Sequence, residues 1–134
     1  GQPMRPATVE HGFWQLDRTL EDGDVGPGML PPDVVPVLQG AEDVERMRNA
    51  DGGFDVLVTL THPGGVAELY AGQIKGPRID LATDAVIRAR GAKEYSSSTR
   101  MYGLVHGDLF WAWDMAALGE PLTTHASAQL RKIG

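Results

Sequence analysis

His125 is the residue of this 134-residue chain whose type and position point most directly to chemistry. It stands early in the second of two segments, 109–118 and 122–133, which read as strands joined by a turn at Gly119-Glu120-Pro121. A neutral imidazole in an apolar enclosure could ligate a metal ion or a haem iron. A lone histidine on a strand is more often structural or exposed, and the residue type alone favours that simpler interpretation.

The alternation of side chains around His125 leaves its direction open. Successive side chains of a strand point to opposite faces of a sheet, so strict alternation places His125 on the side of Ser127 and opposite Ala126. Either a β-bulge near Thr123 and Thr124 redirects the ring, or the interior is partly polar and its small side chains leave space for a ligand. The sequence does not decide between them.

Composition restricts the classes of protein and partner. Twelve Lys and Arg against eighteen Asp and Glu give a formal net charge of −6, so the surface should repel a nucleic-acid backbone. No apolar run approaches the roughly twenty residues of a membrane helix, and no secretory signal pattern occurs. We therefore expect a soluble, cytoplasmic protein without nucleic-acid or membrane partners. The absence of cysteine excludes disulfides and thiolate ligands.

Turn residues and period-two alternation predict an all-β fold. Seventeen glycines and nine prolines favour turns over long helices. We predict an antiparallel up-and-down β-barrel of about seven strands, each paired with the next, in a single domain spanning 1–134. Residues 17–53 are predicted as a long loop insertion with a short helix at 41–49. Four aliphatic residues favour packing of this insertion on the barrel, and a mobile surface segment is the alternative: Val34, Val35, Val37 and Leu38.

Four segments carry a resemblance to a known family. They are Glu10-His-Gly-Phe-Trp14, His62-Pro-Gly-Gly-Val-Ala-Glu-Leu69, Gly91-Ala-Lys-Glu94 and Met115-Ala-Ala-Leu-Gly-Glu-Pro-Leu-Thr-Thr-His-Ala-Ser-Ala-Gln-Leu-Arg131. They resemble the nitrobindins, haem-binding antiparallel barrels shaped like lipocalins and fatty-acid-binding proteins. The resemblance implies that His125 is the proximal ligand of a ferric haem b. It also implies that Lys93 lies beside the haem, where its ammonium could pair with a propionate. By residue type alone, Lys93 is a solvated lysine.

The resemblance implies a haem protein that isomerises peroxynitrite to nitrate, binds nitric oxide, or does both. The residues themselves show no convergent acid pair and no motif-supported Ser-His-Asp set, so hydrolysis is not favoured. The alternative is a haem-free barrel that carries a fatty acid or another apolar small molecule. We interpret His62 as a structural turn residue because it precedes Pro63.

One feature of the family is missing from the chain. In nitrobindins the strand resembling 9–16 follows three others, the first of which carries a Gly-x-Trp-x-Gly-x-Gly motif, and the chain has no such motif and begins at Gly1. An antiparallel barrel is stable only when its edges close. We therefore expect a second copy in a homodimer, a longer parent protein, or closure by the 17–53 insertion.

Overall fold

A computed structural model of the protein describes Pro3 and residues 8–134. Seven antiparallel strands form one sheet in which each strand pairs with the next along the chain. The strands are β1 (His11–Leu16), β2 (Phe54–His62), β3 (Val66–Lys75), β4 (Arg78–Arg88), β5 (Tyr95–Val105), β6 (Asp108–Ala117) and β7 (Thr123–Leu130). The predicted all-β, up-and-down order is confirmed. Within the described residues β1 and β7 do not pair, so the sheet is not closed, and a closed barrel stays a prediction.

The core lies on one face of the sheet, which we call the inner face. Its fully buried apolar centre is formed where β2, β3 and β4 lie side by side, because Val58 pairs with Tyr70 and Tyr70 with Thr83. Alternate residues of these strands share the face, as the period of two requires. The buried cluster consists of Val56, Val58, Leu60, Tyr70 and Leu81.

A β-bulge at the start of β5 changes which side chains face inward. Tyr95 pairs with Ala117 and Ser97 with Ala116, so Ser96 is the extra residue. Tyr95 is therefore buried on the inner face together with Ser98. The sequence predicts a strand over residues 93–105 with Lys93, Tyr95, Ser97, Thr99 and Met101 on one face. The strand begins instead at Tyr95, and the bulge places Tyr95 on the face opposite Ser97 and Thr99.

The connection from β1 to β2 occupies residues 17–53 and contains little regular structure. A single 3-10 turn covers Pro27–Met29, and α1 spans Ala41–Glu45, four residues shorter than predicted. Asn49 fixes the path into β2, because its side-chain oxygen accepts the backbone N–H groups of Asp51 and Gly53. No helix in the described part of the chain is long and apolar enough to span a membrane.

Only part of the aliphatic stretch in this connection is covered. Val37 and Leu38 are half-buried, whereas Val34 and Val35 are 54% and 68% exposed. Gly23 packs against the stretch, since a Cβ at that position would lie 2.5 Å from the carbonyl oxygen of Val35. The stretch therefore packs on a neighbouring turn of its own segment, and its packing on the barrel stays a prediction.

Close approach of β3 and β4 depends on Gly72. A Cβ there would lie 1.9 Å from the carbonyl oxygen of Asp80, a backbone atom that cannot move without disturbing the ladder. We expect Gly72→Ala to lower the free energy of unfolding by about 1–3 kcal/mol, measured by urea denaturation. Gly103→Ala is the matched control, because Gly103 is also a strand glycine and no atom lies within 4 Å of its added Cβ. Equal effects of the two substitutions would contradict the steric explanation.

Candidate functional site

A recess on the inner face brings together the residues best placed for chemistry. Its volume is about 410 Å³, within the range of roughly 300–1,000 Å³ that is typical of small-molecule sites. We call it the inner recess. Its wall is formed by Thr8, Val9, His62, Pro63, Val66, Tyr95, Trp113 and Met115.

A second recess of about 450 Å³ adjoins the inner recess and contains Lys93 in its wall. The two share Pro63, Val66 and Tyr95. Lys93 is exposed in the connection that precedes β5. Lys93, a predicted site residue, therefore lines the second recess and not the inner recess that Trp113 lines. Its side chain is accessible to solvent.

His125 is the extra residue of a bulge in β7. Trp113 pairs with Ala126 and Asp114 with Thr124, so His125 has no partner across the ladder. The bulge directs the imidazole to the side of the Trp113 indole, with the two ring centroids 4.9 Å apart and the planes at 82°. Of the two interpretations left open by the sequence, the structure shows a bulge, and the bulge lies at His125 itself.

The His125 ring is exposed, although the sequence analysis expects an apolar enclosure around it. The exposure follows from the position of β7, which pairs with β6 on one side and with no described strand on the other. No described residue hydrogen-bonds to the ring nitrogens of His125. Either nitrogen is therefore available to an exogenous ligand.

A buried carboxylate, Glu68, lies next to the inner recess and is the centre of a hydrogen-bond network. Its side chain is 0% exposed and accepts hydrogen bonds from the hydroxyls of Tyr70, Tyr95 and Ser98 while also contacting Nε2 of His62. Burial alone raises the pKa of Glu68, but the hydrogen bonds from Tyr70, Tyr95 and His62 outweigh it and lower the pKa below 4.5. Glu68 is therefore an anion at neutral pH.

Arg100 supplies the buried positive charge of the network. Its two terminal nitrogens lie 2.7 Å from the two carboxylate oxygens of Glu10, and its Nε donates to the Tyr70 hydroxyl at 3.0 Å. The guanidinium carbon also lies 4.2 Å from the centre of the Trp113 ring. Burial by itself lowers the pKa of Arg100. Its hydrogen bonds to Glu10 and Tyr70 raise the pKa by more than burial lowers it, so the side chain stays a cation.

His62 connects this network to the inner recess. Its ring stacks on Trp113 with centroids 5.5 Å apart and planes at 13°, while its Nε2 contacts Glu68. His62 is the last residue of β2, and its side chain is only 11% exposed. The interpretation as a structural turn residue misses this contact, since a carboxylate six residues away lies across the hairpin from it.

The polar network around Glu68 is not predicted from the sequence. Four of its members lie on alternate positions of two strands, Glu68 and Tyr70 on β3 and Ser98 and Arg100 on β5. The signal that could have revealed the network is a charged residue, Glu68, two positions from Tyr70 and therefore on the same face of β3. That signal is weak because Leu69 and Ala71, at the opposite parity of β3, are equally plausible core residues.

The inner recess also retains an unused hydrogen-bond donor. The indole Nε1 of Trp113 is buried, and no described residue accepts its hydrogen. Buried donors without an acceptor are rare and costly in proteins. The free imidazole of His125 lies beside this indole. Together the two side chains could bind a group that carries both a metal and hydrogen-bond acceptors.

The lowered pKa of Glu68 predicts a pH dependence of stability. Because the folded-state pKa lies below 4.5, the carboxylate stabilises the fold above that pH, and the contribution is lost as pH falls through the folded-state value. We expect the wild-type free energy of unfolding to fall more steeply below pH 4.5 than that of Glu68→Gln, measured by urea denaturation. Glu94→Gln, which removes the charge of an exposed carboxylate just before β5, should keep the wild-type slope. Parallel slopes for wild type and Glu68→Gln would contradict the role of the network.

Comparison with known proteins identifies curated relatives that match nearly the whole chain. A peroxynitrite isomerase of Kocuria rhizophila is 71% identical over 133 residues, which cover 99% of this chain and 65% of that protein. A peroxynitrite isomerase of Renibacterium salmoninarum is 58% identical over 132 residues, covering 98% of this chain and 63% of that protein. The chain thus spans just under two thirds of the length of these two relatives.

A solved structure and a family model agree with this result. The crystal structure of Rv2717c from M. tuberculosis superposes with a TM-score of 0.51 at 30% identity, covering 61% of this chain and 55% of that one. The model of the THAP4-like, heme-binding beta-barrel domain matches residues 2–132. The predicted resemblance to the nitrobindins is confirmed, and the chain belongs to the family of THAP4-like, heme-binding beta-barrel domains.

Proposed function

We propose that this chain binds haem b through His125 and forms part of a protein that isomerises peroxynitrite to nitrate, binds nitric oxide, or does both. The observation that carries the proposal is the bulge in β7, which sets a free imidazole against the aromatic wall of the inner recess. The family description and the names of the relatives support the same cofactor and substrate.

The residues around His125 have the chemistry that a haem requires. Haem is a flat apolar ring with one open axial position on its iron and two carboxylates at its rim. The structure supplies an imidazole without a hydrogen-bond partner among the described residues and an indole in T-shaped contact with it. That indole also lines the inner recess, where Val66 and Met115 provide apolar wall. Lys93 in the adjoining recess is an ammonium that can pair with a rim carboxylate.

In this mechanism the protein residues bind the haem, orient it and exclude water from the site. When bound, haem supplies a Lewis-acidic iron centre on which peroxynitrite can rearrange to nitrate. His125 would hold the iron, and its contact with the ring of Trp113 would orient the imidazole. The apolar wall of the inner recess limits the access of water to a reacting anion.

The same proposal includes the closure of the barrel and the cellular location of the protein. We infer that the inner face is enclosed when β1 and β7 gain partners, which would bury the exposed imidazole of His125. A homodimer or a longer parent chain would provide those partners. A cytoplasmic location is proposed with them.

Haem titration of the chain, followed by absorbance, tests the role of His125. We expect the wild type to give a saturable Soret band and His125→Ala to bind haem at least about tenfold more weakly, because the variant has lost its axial ligand. His106→Asn is the matched control, since His106 lies in a turn at φ 51°, a conformation that asparagine tolerates. Identical spectra for wild type and His125→Ala would exclude the proposed ligand. Co-purified lipid together with no haem saturation would support the haem-free apolar carrier instead.

Lys93 should contribute much less than His125. An ion pair at an exposed position stabilises by roughly 0.2–1 kcal/mol, so Lys93→Ala should weaken haem binding by about 1.4- to fivefold in the same titration. Lys75→Ala, at an exposed strand end, serves as the control for the loss of one positive charge. A Lys93→Ala effect that persists undiminished in high salt would argue against an ion pair with a propionate.

A further inference from the structure

We propose that Arg100 is a positioning residue for His125 and acts on it through the ring of Trp113. The inference rests on the proposed function, because His125 is the iron ligand of that proposal. The Arg100 side chain is 0% exposed, so it cannot touch a bound group itself. Glu10, 90 residues away in the chain, completes the arrangement by holding Arg100 in place.

The His125 ring lacks the hydrogen bond that usually orients a metal-binding histidine. Such a histidine commonly donates its second ring N–H to a carboxylate, a backbone carbonyl or water. Here no described residue hydrogen-bonds to either ring nitrogen, and the bulge in β7 leaves His125 without a partner across the ladder. The contact that remains is with Trp113, at 4.9 Å between ring centroids. Trp113 therefore takes over the orienting role.

The Trp113 indole is held in turn by contacts of its ring and not by a hydrogen bond. Its Nε1 is buried, and no described residue accepts its hydrogen. The guanidinium carbon of Arg100 lies 4.2 Å from the ring centre, and the His62 ring stacks at 5.5 Å. A cation is attracted to the face of an indole, most strongly where water is excluded. Trp113 is 3% exposed, so that condition is met.

Three hydrogen bonds fix the guanidinium of Arg100. Its terminal nitrogens donate to the two carboxylate oxygens of Glu10 at 2.7 Å, and its Nε donates to the Tyr70 hydroxyl at 3.0 Å. A bidentate pair of this kind sets the direction of the guanidinium as well as its position. The cation that contacts Trp113 is therefore held by a carboxylate just before β1 and by a phenol of β3.

The arrangement connects parts of the sheet that do not pair with each other. Glu10 directly precedes β1, whereas Arg100 lies on β5 and Trp113 on β6. A second contact between β1 and β5 joins Trp14 and Tyr102, with ring centroids 5.5 Å apart. The curl of the sheet that brings β1 close to β5 thus places Arg100, and the contact with Trp113 extends this influence to the histidine of β7.

A purely supporting role and a positioning role of Arg100 have different consequences at His125. In a supporting role the ion pair stabilises the fold and leaves the His125 ring where it is. In a positioning role, weakening the pair at Glu10 displaces the indole and changes the ring current that acts on the His125 protons. A substitution at residue 10 leaves both aromatic side chains unchanged, so it separates the two roles.

The NMR signals of the His125 ring in the haem-free chain, together with haem titration, test this coupling. Glu10→Gln removes the charge of the pair but keeps its shape. We expect it to shift the His125 ring protons and to weaken haem binding about tenfold, the lower end of the losses seen when a residue supporting a metal-bound histidine is removed. Arg100→Lys keeps the charge but loses the planar fork, and should act in the same direction.

Asp80→Asn is the matched control, because it breaks an equally bidentate pair, formed with exposed Arg78 at 2.8 and 2.9 Å. It should leave the His125 signals and the haem affinity unchanged. Thermal melting identifies the variants that stay folded. If Arg100→Lys does not fold, Glu10→Gln carries the test, since the Glu10 side chain is 28% exposed.

Unchanged His125 signals and haem affinity in folded Glu10→Gln would overturn the inference, as would equal effects of Asp80→Asn. A wild type that binds no haem, with His125 signals that still move in Glu10→Gln, would reject the proposed function and leave the coupling of Arg100 to His125 standing. Haem binding that His125→Ala loses and Glu10→Gln leaves unaltered, with unmoved His125 signals, would do the reverse.

Discussion

The ionised carboxylate of Glu68 is the interaction on which the inner face depends. A bare carboxylate inside a protein is costly, and it is retained only when hydrogen bonds and opposite charge compensate for lost hydration. Here three hydroxyls, an imidazole and a nearby guanidinium supply that compensation from three different strands. One buried charge therefore fixes the relative position of β2, β3 and β5 more specifically than apolar packing alone could.

Trp113 connects that buried charge to the exposed side of the site. Arg100 and His62 lie within 6 Å of its ring, and His125 contacts its edge from the neighbouring strand. The indole thus lies between the buried charged network and the exposed imidazole of His125, which is accessible to ligands. A change in the packing of this one ring would alter both sides together.

Much of the fold could be predicted from the sequence, because alternation and turn residues act locally. The alternation after the turn at His62-Pro63-Gly64-Gly65 predicts a strand over Val66–Lys75, and β3 has these bounds. The connection of residues 17–53 lies between Leu16 and Phe54 as expected. The direction of His125 could not be settled, since a bulge depends on which residues face each other across two strands. The network around Glu68 was missed for a similar reason. Ser98 is 30 residues from Glu68 and Arg100 is 90 residues from Glu10, and only the folded sheet brings these partners together.

The bulge in β7 gives the site an unusual relation to the rest of the sheet. The pairs on both sides of His125 keep a regular ladder, and the histidine is a surplus residue between them. Loss of this one codon would restore an uninterrupted ladder without changing a single neighbouring pair, and its gain would do the opposite. In such an architecture, evolution can add or delete the imidazole in one step while the scaffold stays the same.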